Sequence, residues 1–82
     1  MVTVLLHPDV EKDLNRLPND VEQRIRDKLA DAGANPSREL KPLKGREDYS
    51  LRIGGRRAII DWDRSQNELR VLEIDTRDTV YD

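Results

Sequence analysis

The sequence predicts an α+β fold. Two periodicities predict it, and they occupy different parts of the chain. Between Val10 and Ala32 apolar residues recur every three or four positions, the spacing of helices with one buried face. From Tyr49 onward they follow the two-residue alternation of half-buried strands, in runs separated by turn-forming residues. A short apolar run, residues 2–6, precedes both. The expected order is an N-terminal strand, an antiparallel helix pair, then a three-stranded antiparallel meander forming a small sheet that the helices cover on one face.

Residues 2–6 read as a strand, and His7-Pro8-Asp9 ends it. Pro8 fits a first helical turn, while Asp9 and Glu11 suit the positive end of a helix dipole. A helix over residues 9–17 places Val10, Leu14 and Leu17 on one side. Pro18-Asn19-Asp20 breaks it, and Asn19 or Asp20 can cap the next helix. That helix, residues 21–32, carries the stripe Val21, Ile25, Leu29 and Ala32, with Gly33 as its stop. Asn35-Pro36-Ser37 opens an irregular segment reaching Asp48, because Pro36 and Pro42 forbid a long helix.

Tyr49, Leu51 and Ile53 then alternate with Ser50 and Arg52, a half-buried strand. Gly54-Gly55 supplies two residues able to take positive φ in a tight hairpin turn. Residues 56–63 form the return strand, with Ala58, Ile59, Ile60 and Trp62 as its apolar mass. Residues 64–67 are a polar turn. A last strand, residues 68–74, holds Leu69, Val71, Leu72 and Ile74, and a polar tail, residues 76–82, contains Val80 and Tyr81.

Eighty-two residues suit one domain, residues 1–82, with a small core. The absence of cysteine rules out a disulfide framework and a thiolate metal site. No apolar run approaches the ~20 residues of a membrane span, and the first residues lack the basic lead of a signal peptide, so a cytoplasmic chain is expected. The net charge of -2 is unevenly spread: residues 37–57 carry 7 basic and 3 acidic side chains, whereas the segments on either side are acidic. One basic segment in an acidic protein focuses positive potential, which suits a phosphate ligand or an acidic partner. His7 is the only histidine and has no carboxylate–histidine cluster around it in sequence, so no metal or cofactor is expected.

The helix pair, Asn35-Pro36, Leu43-Lys44-Gly45, the run Tyr49-Ser50-Leu51-Arg52-Ile53-Gly54, Arg57 and the ending Arg77-x-x-x-Tyr81 together resemble the RelE/ParE toxin superfamily across almost the whole chain. The Arg-rich hairpin with Arg77 and Tyr81 is closer to the RelE-like branch. The resemblance implies the toxin of a type II toxin–antitoxin pair, a ribosome-dependent, metal-independent mRNA endonuclease that inhibits translation through attack of a 2′-hydroxyl on the scissile phosphate. Two alternatives are a ParE-like gyrase inhibitor and a relative that serves only as an antitoxin-binding co-repressor module. The implied partners are a cognate antitoxin that folds on binding, the ribosome with its mRNA, and operator DNA only through the antitoxin complex.

By the same resemblance Arg57 clamps the scissile phosphate with Arg52 beside it, Arg77 is a second phosphate ligand, and Tyr81 stacks on a base or passes a proton. Lys41, Lys44, Arg46 and Arg56 hold RNA or ribosomal backbone. Arginine suits this work because its planar fork binds phosphate oxygens in pairs and keeps its proton. Some RelE-like enzymes carry a lysine where Ser50 stands, others a glutamate where Lys41 stands, and many a histidine where Thr76 stands. With none of these here, Lys41 or Lys44 is the candidate base, and the alternative is a slow nuclease that relies on positioning alone. The competing structural reading pairs Arg52 and Arg56 with Glu47, Asp48 or Asp61, and makes Tyr49 and Trp62 core residues.

Overall fold

The fold was analysed in a computed structural model, which describes residues 2–75. The mixed α+β class holds, with five strands rather than four. Strand β1 (Thr3–Leu6) is followed by α1 (Pro8–Asn15), α2 (Asn19–Ala34), the one-turn α3 (Pro36–Glu39), β2 (Leu40–Pro42), β3 (Tyr49–Ile53), β4 (Arg56–Asp63) and β5 (Glu68–Asp75). The sheet order is β1-β5-β4-β3-β2. The expected meander β3-β4-β5 is antiparallel, and β1 joins β5 in parallel, so the sheet is mixed.

Helix α1 starts where His7 Nδ1 accepts the Asp9 amide at 3.1 Å and Pro8 fills the first helical position. It buries Val10 and Leu14. It stops at Asn15, short of the expected Leu17, because Pro18 disfavours helical geometry just before it. The last turn tightens instead, with the Leu17 amide donating to the Leu14 carbonyl at 3.1 Å. Neither Asn19 nor Asp20 caps α2: the helix begins at Asn19, and Pro18 is the cap, its carbonyl taking the Glu22 amide at 2.9 Å.

Gly33 does not end α2, contrary to expectation; the helix runs one residue further to Ala34, and Pro36 limits it. Glycine stands there because β1 lies against it. A Cβ on Gly33 would sit 2.8 Å from Val4 Cγ2 and 3.0 Å from the Val2 carbonyl oxygen. The Val2 amide donates to the Gly33 carbonyl at 2.9 Å, which fixes the approach.

The segment expected to be irregular contains α3 and β2. Strand β2 is an edge strand, where Pro42 costs no ladder bond that a neighbour needs, and its Leu40 turns inward opposite Leu51. A Lys28–Glu39 ion pair ties α3 to α2. In the β3–β4 hairpin, only Gly54 takes positive φ, +60°, as a type II′ turn requires of its first central residue; Gly55 does not.

Strand β5 carries an extra residue. Its register with β4 shifts between Ile59 and Ile60: Ile59 pairs with Glu73 and Ile60 with Val71, leaving Leu72 unpaired in a bulge. The bulge lets Leu69 and Val71 pack inward before it and Ile74 after it. The core joins Val10 and Leu14 of α1, Ile25, Leu29 and Ala32 of α2, and Leu40, Leu51, Ile53, Ala58, Ile60, Leu69 and Val71 of the sheet. Both helices therefore lie on one face of the sheet, and among the described residues nothing covers the other, open face.

Candidate functional site

The open face is built by alternation. Leu51 and Ile53 are buried in β3, so Ser50 and Arg52 project the other way. Ala58 and Ile60 are buried in β4, so Arg57, Ile59 and Asp61 project with them. Register then sets neighbours. Arg52 stands directly across from Arg57, and Arg57 directly across from Asp75. The next row runs Lys41, Ser50, Ile59, Glu73.

Like charges directly opposite in a sheet are destabilising, and a bound anion relieves that repulsion. Arg57 is half-buried, and among the described residues no hydrogen bond or ion pair engages its guanidinium. Other arginines are committed. Arg70 binds Asp61, Asp63 and Glu68 at 3.1, 3.0 and 2.9 Å, and Arg26 binds Glu11 and Glu22 at 2.6 and 2.8 Å. The carboxylates raise the pKa of both guanidiniums further above the usual arginine value.

Of the sequence-derived candidates, the sheet brings Lys41, Arg52 and Arg57 onto one face. Arg56 is not with them. It pairs with Ile53 and shares that residue's face, toward the helices. Arg46 lies in the β2–β3 loop and holds Asp48 at 2.6 Å, while Lys44 is exposed in the same loop. Asp48 pairs with Arg46 and Asp61 with Arg70, while Arg52 and Arg56 are themselves engaged. Arg77 and Tyr81, with Thr76, lie outside the described residues.

Tyr49 and Trp62 pack against the core, as the sequence implied, with ring centroids 5.5 Å apart in a T-shaped contact; Arg64 caps the indole at 4.1 Å. His7 serves α1 as its cap. Among the described residues, no three side chains of the ligating types are placed to hold a metal, and no helix is long and apolar enough to cross a membrane.

Two residues escaped the sequence reading: Glu73 and Asp75. A regular strand would send Glu73 inward in phase with Leu69 and Val71; the Leu72 bulge turns it out. The signal was present as the broken alternation Leu69, Val71, Leu72, Ile74. The open face is consequently two-ended. Lys41, Arg52 and Arg57 meet Glu73 and Asp75 at one end, and Asp61, Asp63 and Glu68 outnumber Arg70 at the other. A groove of about 980 Å³, which Arg52 also borders, lies between α2 and the hairpin end of β3. Its lining balances Asp20, Asp27 and Asp31 against Arg24, Lys28 and Arg52, which gives no preference for a polyanion.

No protein-family model matches the chain, and no curated protein matches it in sequence. Solved structures do. The toxin–antitoxin complex RelBE2 of Mycobacterium tuberculosis contains a chain 25% identical, with a TM-score of 0.83, the match covering 93% of this chain and 98% of that one. The RelE–RelB complex of the archaeon Pyrococcus horikoshii OT3 follows at 24% identity and a TM-score of 0.76, covering 89% and 91%. Isolated RelE toxin of E. coli matches at 17% identity and a TM-score of 0.77, covering 90% and 82%. The fold of this chain is RelE-like.

Proposed function

We propose that this RelE-like chain is the toxin of a type II toxin–antitoxin pair, acting as a ribosome-dependent, metal-independent mRNA endonuclease that stops translation. The observation that carries the reading is the cross-strand pair Arg52–Arg57 on the open face, with Lys41 one row away. Its likeness to RelE chains solved as toxin–antitoxin complexes supports the same reading.

The chemistry follows from those groups. Arg57 and Arg52 bind the non-bridging oxygens of the scissile phosphate and stabilise charge as the 2′-oxygen adds to phosphorus. Sheet register fixes the side from which both arginines project, so the two guanidiniums can converge on one phosphate. Lys41, with Lys44 and Arg46 on the adjoining loop, attracts the phosphate backbone. Arg77 and Tyr81 complete the proposed site as a second phosphate ligand and a base-stacking or proton-passing group, and Arg56 contributes to ribosome contact from the other face.

The proposed restraint is a cognate antitoxin that orders on binding. Apolar surface beside β1 supports this: a pocket of about 390 Å³ bordered by Val4, Leu6, Leu29 and Ala30, and Leu5, 42% exposed on the sheet's outer strand. Operator DNA is engaged only through that complex. Since its targets are ribosomes and mRNA, we place the protein in the cytoplasm, as one domain spanning residues 1–82.

Expression without the antitoxin tests the proposal. Growth arrest with new mRNA ends inside translated codons is expected, and co-expression of the antitoxin restores growth. Arrest accompanied by DNA damage and intact mRNA identifies a gyrase inhibitor instead. Unimpeded growth leaves only the binding module.

A further inference from the structure

Cleavage through a 2′-hydroxyl needs a proton acceptor beside the phosphate clamp. We propose that Glu73 is that acceptor and that Lys41 is the opposing proton donor, an inference that rests on the nuclease reading above. The Leu72 bulge turns Glu73 onto the face of Arg57. Register places Glu73 opposite Ile59, two residues from Arg57's own partner Asp75, and hence diagonal to Arg57. Diagonal neighbours lie about 7–8 Å apart, within reach of long side chains.

Availability singles out Glu73 among the carboxylates of this face. It is exposed, and among the described residues no hydrogen bond or ion pair holds it. Asp61, Asp63 and Glu68 are committed to Arg70, and Asp75 is engaged as well. The charged groups nearest Glu73 in the sheet are Arg57 and Asp61 on β4 and Arg70 and Asp75 on its own strand.

Lys41 stands at the opposite end of the same row, three strand spacings or about 14 Å away at the backbone. Ser50 and Ile59 form the floor between them. A phosphate held by Arg52 and Arg57 over that floor has a carboxylate on one side and an ammonium on the other. Glu73 takes the proton of the 2′-hydroxyl as the 2′-oxygen bonds to phosphorus. The bond from phosphorus to the 5′-oxygen breaks, and Lys41 gives its proton to that oxygen. The products are a 2′,3′-cyclic phosphate and a 5′-hydroxyl, with no other reactant consumed. This assigns Lys41 as acid rather than base.

The test is single-turnover cleavage of mRNA on programmed ribosomes by the full chain, with ribosome affinity and melting temperature measured in parallel. Glu73→Gln is expected to cleave ~10²–10³-fold more slowly with unchanged ribosome affinity and melting temperature. Glu73→Asp is expected to retain part of the rate. Glu73→Gln with the wild-type rate, alongside an inert Arg57→Ala, overturns the role of Glu73 and leaves the nuclease reading intact. A folded wild-type chain that cleaves nothing overturns both.

Discussion

Arg57 acquires its proposed role from three neighbours rather than from its own chemistry. Arg52 repels it across the hairpin, Asp75 borders it on β5, and the buried Ala58 beside it fixes which way it points. Arg57→Ala is expected to lower cleavage ~10²–10³-fold in single-turnover assays. Arg57→Lys should recover little, because an ammonium lacks the two-oxygen fork. The placement of Arg52 was legible in the sequence, since Leu51 and Ile53 fix the phase of β3. That of Arg57 comes from register with β3, because Ala58, Ile59 and Ile60 are apolar in succession, and that of Glu73 was hidden because one extra residue at Leu72 reverses the phase after it. Gly33 departs from expectation for a related reason. Its sequence position fits a helix stop, while its need for hydrogen in place of Cβ comes from Val2 and Val4, about thirty residues away. Gly33→Ala should destabilise the protein by about 1–2 kcal/mol in urea unfolding, despite alanine's better helix propensity, because the stiff Val4 side chain and the Val2 backbone must move.

At the scale of elements, the β4–β5 turn is organised by one carboxylate. Asp63 Oδ1 accepts from the Ser65 hydroxyl at 2.6 Å, the Ser65 amide at 3.0 Å and the Gln66 amide at 3.1 Å. The Ser65 hydroxyl, then the Gln66 amide, and also Arg70, hold its pKa below the usual carboxylate range. A depressed folded-state pKa stabilises the fold above the unfolded value, and this contribution is lost as pH falls through the folded value. Melting temperature followed from about pH 6 down to pH 2 should therefore drop on the acid side, and Asp63→Asn should flatten that drop while lowering the plateau. The hairpin turn makes its own demand. With φ at +60°, Gly54→Ala should cost about 1–2 kcal/mol by denaturant titration, whereas Gly55→Ala should cost less. Strand β2 escaped the sequence reading because it has three residues, one buried side chain and a proline, too little pattern to separate from a loop. It forms because Leu40 completes the core opposite Leu51, a contact settled by tertiary packing.

Across the whole molecule, the sheet divides labour between its faces. One face holds the core under α1 and α2, and the other carries the charged rows. The separation of Lys41, Arg52 and Arg57 from the Asp61–Asp63–Glu68 end gives a long anion one favourable end to occupy. RNA affinity should accordingly fall as salt rises, and Arg52→Ala should reduce the slope of log affinity against log salt. The proposed role of the arginine pair is to bind the phosphate that is broken. Mapping mRNA 5′ ends on purified programmed ribosomes, with wild type and Arg57→Ala at equal dose, addresses it most directly. Wild type is expected to leave 5′-hydroxyl breaks within the A-site codon, and Arg57→Ala none at the same exposure. Intact mRNA with a folded wild-type protein, or equal cutting by Arg57→Ala, would contradict it.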